Sequence, residues 1–149
     1  MAEVAPVLAR SIAEILGGKQ IWRLRSPTAT DLRHGVEAGL PYASLEALMG
    51  RFRLSRSEVA SVLGLPARTM ARRKRDRRLR PDESDRLLRL ARIAAEAARI
   101  LGTEEKAAGW LRDENMALGG EVPLELLRTD IGARQVEEIL GRIEYGLYS

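Results

Sequence analysis

The chain has 149 residues, 45% hydrophobic and 31% charged, with one His, no Cys and a formal net charge of +4. That length allows one domain or two very small ones, and the lack of Cys excludes disulfides, thiolate metal sites and a cysteine nucleophile. No apolar run approaches the roughly 18 residues that span a bilayer, and the opening MAEVAPVLARSIAEILG has no basic leader and carries Glu3 and Glu14, unlike a secretory signal.

A cytoplasmic location without membrane association is therefore expected. The apolar fraction is mainly Ala, Leu, Ile and Val, with one Phe and two Trp, and the long Ala, Leu, Arg and Glu stretches predict an all-α fold. Charge is unevenly divided. Residues 1–50 and 81–102 balance, residues 51–80 carry eleven basic against two acidic groups, and residues 103–149 carry five against ten. A +9 block followed by a −5 block suggests two surfaces with different partners.

In chain order, Val4, Val7, Leu8, Ile12, Ile15 and Leu16 predict a helix that Gly17 and Gly18 stop. Ile21, Trp22 and Leu24 then suggest a short extended piece. Pro27 breaks it, and Thr28 or Thr30 can cap a short helix through about Ala38. Gly39 and Pro41 mark a turn, and Leu45, Leu48, Met49 and Phe52 recur at helical spacing.

The stretch LSRSEVASVLGLPARTMARRK is the most informative. Ser55 and Glu58 have the spacing of a reciprocal capping box, so a helix begins near Arg56 with Val59, Val62 and Leu63 on its apolar stripe. Gly64 supplies the turn, Leu65 the apolar plug, and Pro66 suits the entry to a second helix over about Ala67 to Lys74 or Arg75. Two short helices joined in this way form a helix-turn-helix, whose second helix enters the major groove of DNA. Eight of the thirteen residues from Arg68 to Arg80 are basic. The second helix would present Arg68, Thr69, Arg72, Arg73 and Lys74 to DNA, with Met70 and Ala71 toward the core. Arg75, Arg77 and Arg78 would track the phosphate backbone beyond it. An ordinary helical hairpin with a solvated basic face and a disordered basic arm are the alternatives. The density of charge on the second helix favours the DNA-reading motif.

Beyond Pro81 a strong amphipathic helix has Asp82, Glu83 and Asp85 in or near its first turn, Leu87, Leu90, Ala91, Ala94, Ala98 and Leu101 on one face, and Gly102 as its stop. It reads as a domain bridge, a dimer contact or plain core. Thr103 then caps a short helix with Trp110 and Leu111 inward. The Gly-rich loop DENMALGGEVP follows, Pro123 starts a helical turn, and Thr129 or Asp130 caps a last helix with Val136, Ile139, Leu140 and Ile143 inward. YGLYS is a tail.

No catalytic constellation is visible. His34 is the only histidine, so no metal site forms around it, and ALGGE has no GK[ST] element or preceding strand to make a nucleotide loop. The chain reads as a non-enzyme that needs no cofactor and no metal.

The segments RTMARRKRDRRLRPDESDRLLRLAR, AAGWL and NMALGGEVPLELLRTDIGARQVEEILGRIEYGLYS, in that order, resemble the Xre-type antitoxins of RES-Xre toxin-antitoxin pairs. Their C-terminal half is shared with ParS-like proteins. The likeness runs from about Gly39 to Ser149 and is most specific in the last forty residues. It implies a helix-turn-helix DNA-binding domain followed by a small helical toxin-binding domain. It also implies a protein that neutralises a co-encoded RES-domain, NAD-consuming toxin and represses its own operon. In such proteins the C-terminal region binds the toxin and its end approaches the toxin active site. By position this nominates Asn115, Leu118, Gly119, Gly120, Pro123, Leu124, Tyr145, Gly146, Leu147, Tyr148 and Ser149. One departure is Glu114, where family members often carry Pro before the Asn.

The expected division is an N-terminal helical extension over 1–38, the helix-turn-helix region over 39–81, a bridging helix over 82–102 and the toxin-binding domain over 103–149. The expected partners are the RES-domain toxin, double-stranded operator DNA and a second copy in a homodimer. A stand-alone DNA-binding or partitioning-type regulator without a toxin is the other reading.

Overall fold

Four of the helix starts are set by short side chains that accept from free backbone amides. In the computed structural model, which describes residues 6–146, Thr28, Ser55, Thr103 and Thr129 accept from the amides of Asp31, Glu58, Lys106 and Gly132. Thr28 and Ser55 complete reciprocal capping boxes with Asp31 and Glu58. The resulting helices are α1 (Pro6–Ile15), α2 (Lys19–Trp22), α3 (Ala29–Ala38), α4 (Tyr42–Phe52) and α5 (Arg56–Leu63). They are followed by α6 (Ala67–Asp76), α7 (Pro81–Leu101), α8 (Glu104–Arg112), α9 (Pro123–Leu126) and α10 (Asp130–Glu144), with a 3-10 turn at Met116–Leu118. Among the described residues no strand occurs, only isolated bridges between Pro41 and Arg78 and between Asn115 and Glu121. Val4, Leu147, Tyr148 and Ser149 lie outside the described residues.

The core is organised around α7, which packs against α1, α3, α5, α8 and α10. With neighbours on several sides it buries more than one stripe: Ile93, Ala95 and Ala97 are buried as well as Leu87, Leu90, Ala91 and Ala94. Ala98 and Leu101, expected on the same face, are only half-buried. One apolar cluster runs from Ile12 and Leu16 through Leu32, Leu45 and Leu63 to Leu111, Leu127 and Leu140. Neither the opening helices nor the last helix therefore has a core of its own.

Two local expectations are corrected by this packing. The segment around Ile21 and Trp22 is one helical turn rather than an extended piece, because Gly17 and Gly18 adopt φ of 115° and 63° and reverse the chain there. That turn lays the Trp22 ring on Gly35, where a Cβ would stand 2.7 Å from the ring. Val7 faces outward, and the inner face of α1 is Ala9, Ile12, Ala13 and Ile15.

The joint after α6 is fastened to the α3–α4 turn. The Leu79 amide donates to the Leu40 carbonyl at 2.9 Å, and the Tyr42 amide donates to the Arg77 carbonyl at 3.1 Å. The Leu40 amide donates to the buried Ser84 hydroxyl at 2.7 Å. Gly39 lets the two chain segments of this joint approach: its φ is 89°, and a Cβ would lie 2.4 Å from the Leu79 carbonyl oxygen. Gly39→Ala is therefore expected to cost about 2 kcal/mol or more. The measurement is the urea midpoint, which should fall with an unchanged denaturant slope.

Candidate functional site

The helix-turn-helix is built as its local sequence dictates. Gly64 ends α5 with φ 69°, the Leu65 amide donates to the Ala60 carbonyl at 2.9 Å, and Pro66 stands immediately before α6 as its cap residue. On α6, Met70 and Arg73 lie three residues apart and face inward. Arg68, Arg72 and Arg75 follow the i, i+4, i+7 spacing of the opposite face and are exposed, as is Lys74, and Thr69 is half-buried between the faces. Ala71, expected inward, is exposed. None of Arg68, Arg72, Lys74 and Arg75 makes a side-chain hydrogen bond or ion pair among the described residues. That is a row of uncommitted cations on one ten-residue helix.

Arg73 is a correction to the expected DNA-contacting set. It is 6% exposed, and its guanidinium donates to both carboxylate oxygens of Glu83, itself 3% exposed, at 2.7 and 2.8 Å. Glu83 also accepts from the Arg80 amide at 2.9 Å, closing the start of α7. Burial alone would raise the Glu83 carboxyl, but the hydrogen bonds from Arg73 and the Arg80 amide hold it below the usual carboxylate range. Arg73 thus fixes the roll of α6, and its burial and its bidentate pairing with Glu83 withdraw it from the exposed face. Arg86 does the corresponding task for α5, donating to the Leu63 carbonyl at 2.8 Å. Beyond α6, Arg77 ends the helix with φ 63° and stays exposed, and the Arg78 guanidinium turns back to the Gly39 carbonyl. The basic run is a folded, anchored segment.

The second group of candidate residues follows α8 in the chain. Asn115 organises its loop: its amide donates to the Glu121 carbonyl, its carbonyl accepts from the Gly120 amide, both at 2.9 Å, and its side chain accepts from the Ala117 amide at 3.0 Å. Gly119 and Gly120 have φ of 71° and 86°, and nothing lies within 4 Å of an added Cβ, so they serve the turn rather than a close approach. This geometry puts Met116 outward, 87% exposed. Leu118 is half-buried, and Pro123 and Leu124 are buried at the start of α9, where they pack in the core and offer a partner little surface. Tyr145 is 77% exposed just after α10, and Gly146 follows it with φ 69°. Leu147, Tyr148 and Ser149 lie outside the described residues.

Sequence reasoning missed the polar seam between these two regions. Arg112, at the end of α8, donates to both Glu58 oxygens at 3.0 Å and to the Arg53 carbonyl. Arg51 donates to Glu104 at 2.6 Å, and Arg128 donates to the Ser61 hydroxyl at 2.8 Å. The hydrogen bond from Arg112, with lesser help from Ser55 and against burial, holds Glu58 below the usual carboxylate range. The capping box exposed the role of Glu58, but nothing local announces a partner 54 residues away. Among the described residues no group of three His, Asp or Glu could hold a metal ion, and no helix is long and apolar enough to cross a membrane.

A helix-turn-helix whose second helix carries bare cations, joined to a small helical module, defines a two-part regulator with a DNA-binding half. Comparison with known proteins assigns both halves. Residues 31–92 match an antitoxin Xre-like helix-turn-helix domain, and residues 96–146 match the antitoxin Xre/MbcA/ParS C-terminal toxin-binding domain. The chain is 29% identical over 136 residues to Antitoxin Xre of Yersinia enterocolitica, covering 88% of this chain and 92% of that protein. It is 28% identical over 134 residues to Antitoxin Xre of Photorhabdus laumondii, covering 87% and 90%. With Antitoxin Xre of Pseudomonas putida identity rises to 42% over 83 residues, 55% of this chain and 52% of that one. The chain belongs to the Xre/MbcA/ParS antitoxin family.

Two arginines one residue apart should therefore behave differently. Arg72→Ala should leave the melting temperature nearly unchanged and lower the log-log salt slope of duplex DNA binding by about one unit. Arg73→Ala should cost about 3–5 kcal/mol of stability, because it strands a buried carboxylate. Thermal melts and binding isotherms at three salt concentrations read both. The depressed Glu83 carboxyl adds a pH signature. Its stabilisation is complete above the ordinary carboxylate range near 4.5 and is lost as pH falls through its lower folded-state value. Glu83→Gln should flatten the acid limb of the stability profile.

Proposed function

We propose that this antitoxin neutralises a co-encoded RES-domain toxin that consumes NAD, with the tail after α10 approaching the toxin active site, and that it represses its own operon through α6. The observation that carries this reading is the pairing, on one continuous core, of bare cations on α6 with a toxin-binding domain in which Tyr145 stands exposed after α10. Arg68, Thr69, Arg72, Lys74, Arg75 and Arg77 supply base and phosphate contacts, and Arg78 contributes through its position more than through its occupied guanidinium. Two copies bind two half-sites about one helical turn apart, as helix-turn-helix proteins commonly do. In this division of labour 39–81 reads DNA, 82–102 connects and 103–149 holds the toxin, while α1 and α3 of the 1–38 extension brace the connecting helix. The protein acts in the cytoplasm by binding alone and catalyses nothing.

On the toxin side, Asn115, Gly119 and Gly120 shape a loop, Leu118, Pro123 and Leu124 hold it to the core, and Tyr145 to Ser149 make the contact. Tyr145 has the wide amphipathic surface that dominates binding hot spots. Deleting Tyr145–Ser149 should abolish protection of cells co-expressing the neighbouring RES-domain protein and leave operator binding within a few-fold of the full chain. Full protection by the truncated protein would overturn the tail assignment. Failure of the full chain to copurify with that protein would instead favour a regulator without a toxin.

A further inference from the structure

Of the five large apolar side chains exposed among the described residues, three, Met116, Ile131 and Tyr145, lie in the toxin-binding domain. Met116 is the most exposed at 87%, and the tail assignment does not use it. A lone apolar side chain on a surface needs no explanation, but this one is held out by a fixed turn. The 3-10 turn over Met116–Leu118 starts on the Asn115 side chain, which accepts from the Ala117 amide at 3.0 Å. It ends at Gly119, whose amide donates to the Met116 carbonyl at 3.1 Å, and the Asn115–Glu121 bridge closes its base. The turn rests on α10, and Leu118 packs against the core. At three residues per turn a side chain two positions earlier leaves on another side, so Leu118 inward sets Met116 outward. Beside it, Asp113, Glu114 and Glu121 are exposed and have no ion pair among the described residues, and no residue from Asp113 to Glu121 is basic.

We infer that Met116 is a second toxin anchor, separate from the tail: it enters an apolar socket on the toxin, and cations at the rim of that socket meet the carboxylates beside it. Two observations select the toxin as occupant. The turn lies within residues 96–146, so the anchor is continuous with the region that the family likeness assigns to toxin binding. Its carboxylates repel the phosphates of DNA, the other partner. Methionine suits the task, because a flexible, polarisable thioether fills an irregular socket and the preset backbone leaves only the side chain to be ordered on binding.

The inference rests on the antitoxin reading, and its test separates the two. The methionines of the chain are Met1, Met49, Met70 and Met116. Among the described ones Met70 is buried and Met49 half-buried, so dilute hydrogen peroxide, which adds one oxygen to a thioether, reaches Met116 first, and peptide mass spectrometry follows it. Adding the neighbouring RES-domain protein should slow Met116 oxidation severalfold relative to Met49, and operator duplex should leave it unchanged. Met116→Ala should weaken toxin binding about tenfold or more, as loss of an anchor does, with melting temperature and operator affinity as in the wild type. Val7→Ala, at a position 72% exposed but outside the toxin-binding domain, should change none of these. Glu114→Gln combined with Glu121→Gln should flatten the salt dependence of toxin binding. If wild-type protein binds the toxin but Met116 oxidises at its free rate and Met116→Ala binds as tightly, the anchor fails and the antitoxin reading stands. An unchanged salt dependence in the double variant removes the cationic rim from the proposal. If operator duplex or a higher concentration of the chain itself protects Met116 and toxin does not, DNA or a second copy covers the turn and the inference is overturned. If wild-type protein does not bind the RES-domain protein, the antitoxin reading itself fails, and the anchor with it.

Discussion

The arrangement of the DNA-binding half depends on the buried pair of Arg73 and Glu83. Removing two charges from water costs several kcal/mol per ion, and the cost is offset only where every donor and acceptor is well placed. Here both oxygens of Glu83 are bound by the guanidinium fork, and one of them also accepts the Arg80 amide. A hydrophobic pair of equal volume would hold α6 against α7 at least as firmly. It would leave the roll of α6 about its axis less constrained, because apolar contact is not directional, whereas a planar fork is satisfied at one rotation. That rotation turns Arg68, Arg72 and Arg75 outward. An ion pair inside the core thereby determines which cations are outside it.

The same pair explains why α7 is the reference element of the whole chain. Its first turn fastens α6 through Glu83 and the α3–α4 turn through Ser84, and its second turn fastens α5 through Arg86. Further along, Arg92 and Arg99 reach Glu137 and Glu144 of α10. Both functional halves are thus registered against one helix and share one apolar cluster. A load applied at α8–α10 has a short covalent and polar route to α5 and α6. Two domains joined by a flexible linker would have none.

What is legible in the sequence follows from local chemistry. The capping boxes at Thr28 and Ser55, the Gly64 turn, the Pro123 start and the 3.6-residue stripes each place an element within a residue or two, because each is settled by neighbours close in the chain. The departures share one cause. Arg73 reads identically to Arg72, and only the fold brings Glu83 to it. Trp22 reads as extended, and only the fold shows Gly35, on another helix, leaving room for its ring. Pro123 and Leu124 enter the candidate site by resemblance, and burial moves them into the support of that site. The helix-turn-helix is readable as a motif, but the identity of its working side chains requires the packing.

Charge sums along the chain overstate both surfaces for the same reason. Within the basic block, Arg51 and Arg73 are paired to Glu104 and Glu83, so part of the +9 is internal. Within the acidic block, Glu104, Glu137 and Glu144 neutralise arginines of α4 and α7, and Asp130 and Glu138 pair one turn along α10 with Arg134 and Arg142. The carboxylates left without an ion pair among the described residues include Asp113, Glu114, Glu121 and Glu125. The first three flank Asn115 in its loop, and Glu125 lies just beyond it in α9. Residual charge is therefore concentrated rather than spread, with cations on the outer face of α6 and carboxylates around the loop of the toxin-binding domain. Each surface repels what the other attracts, so one small fold of net charge +4 presents two faces of opposite electrostatic character.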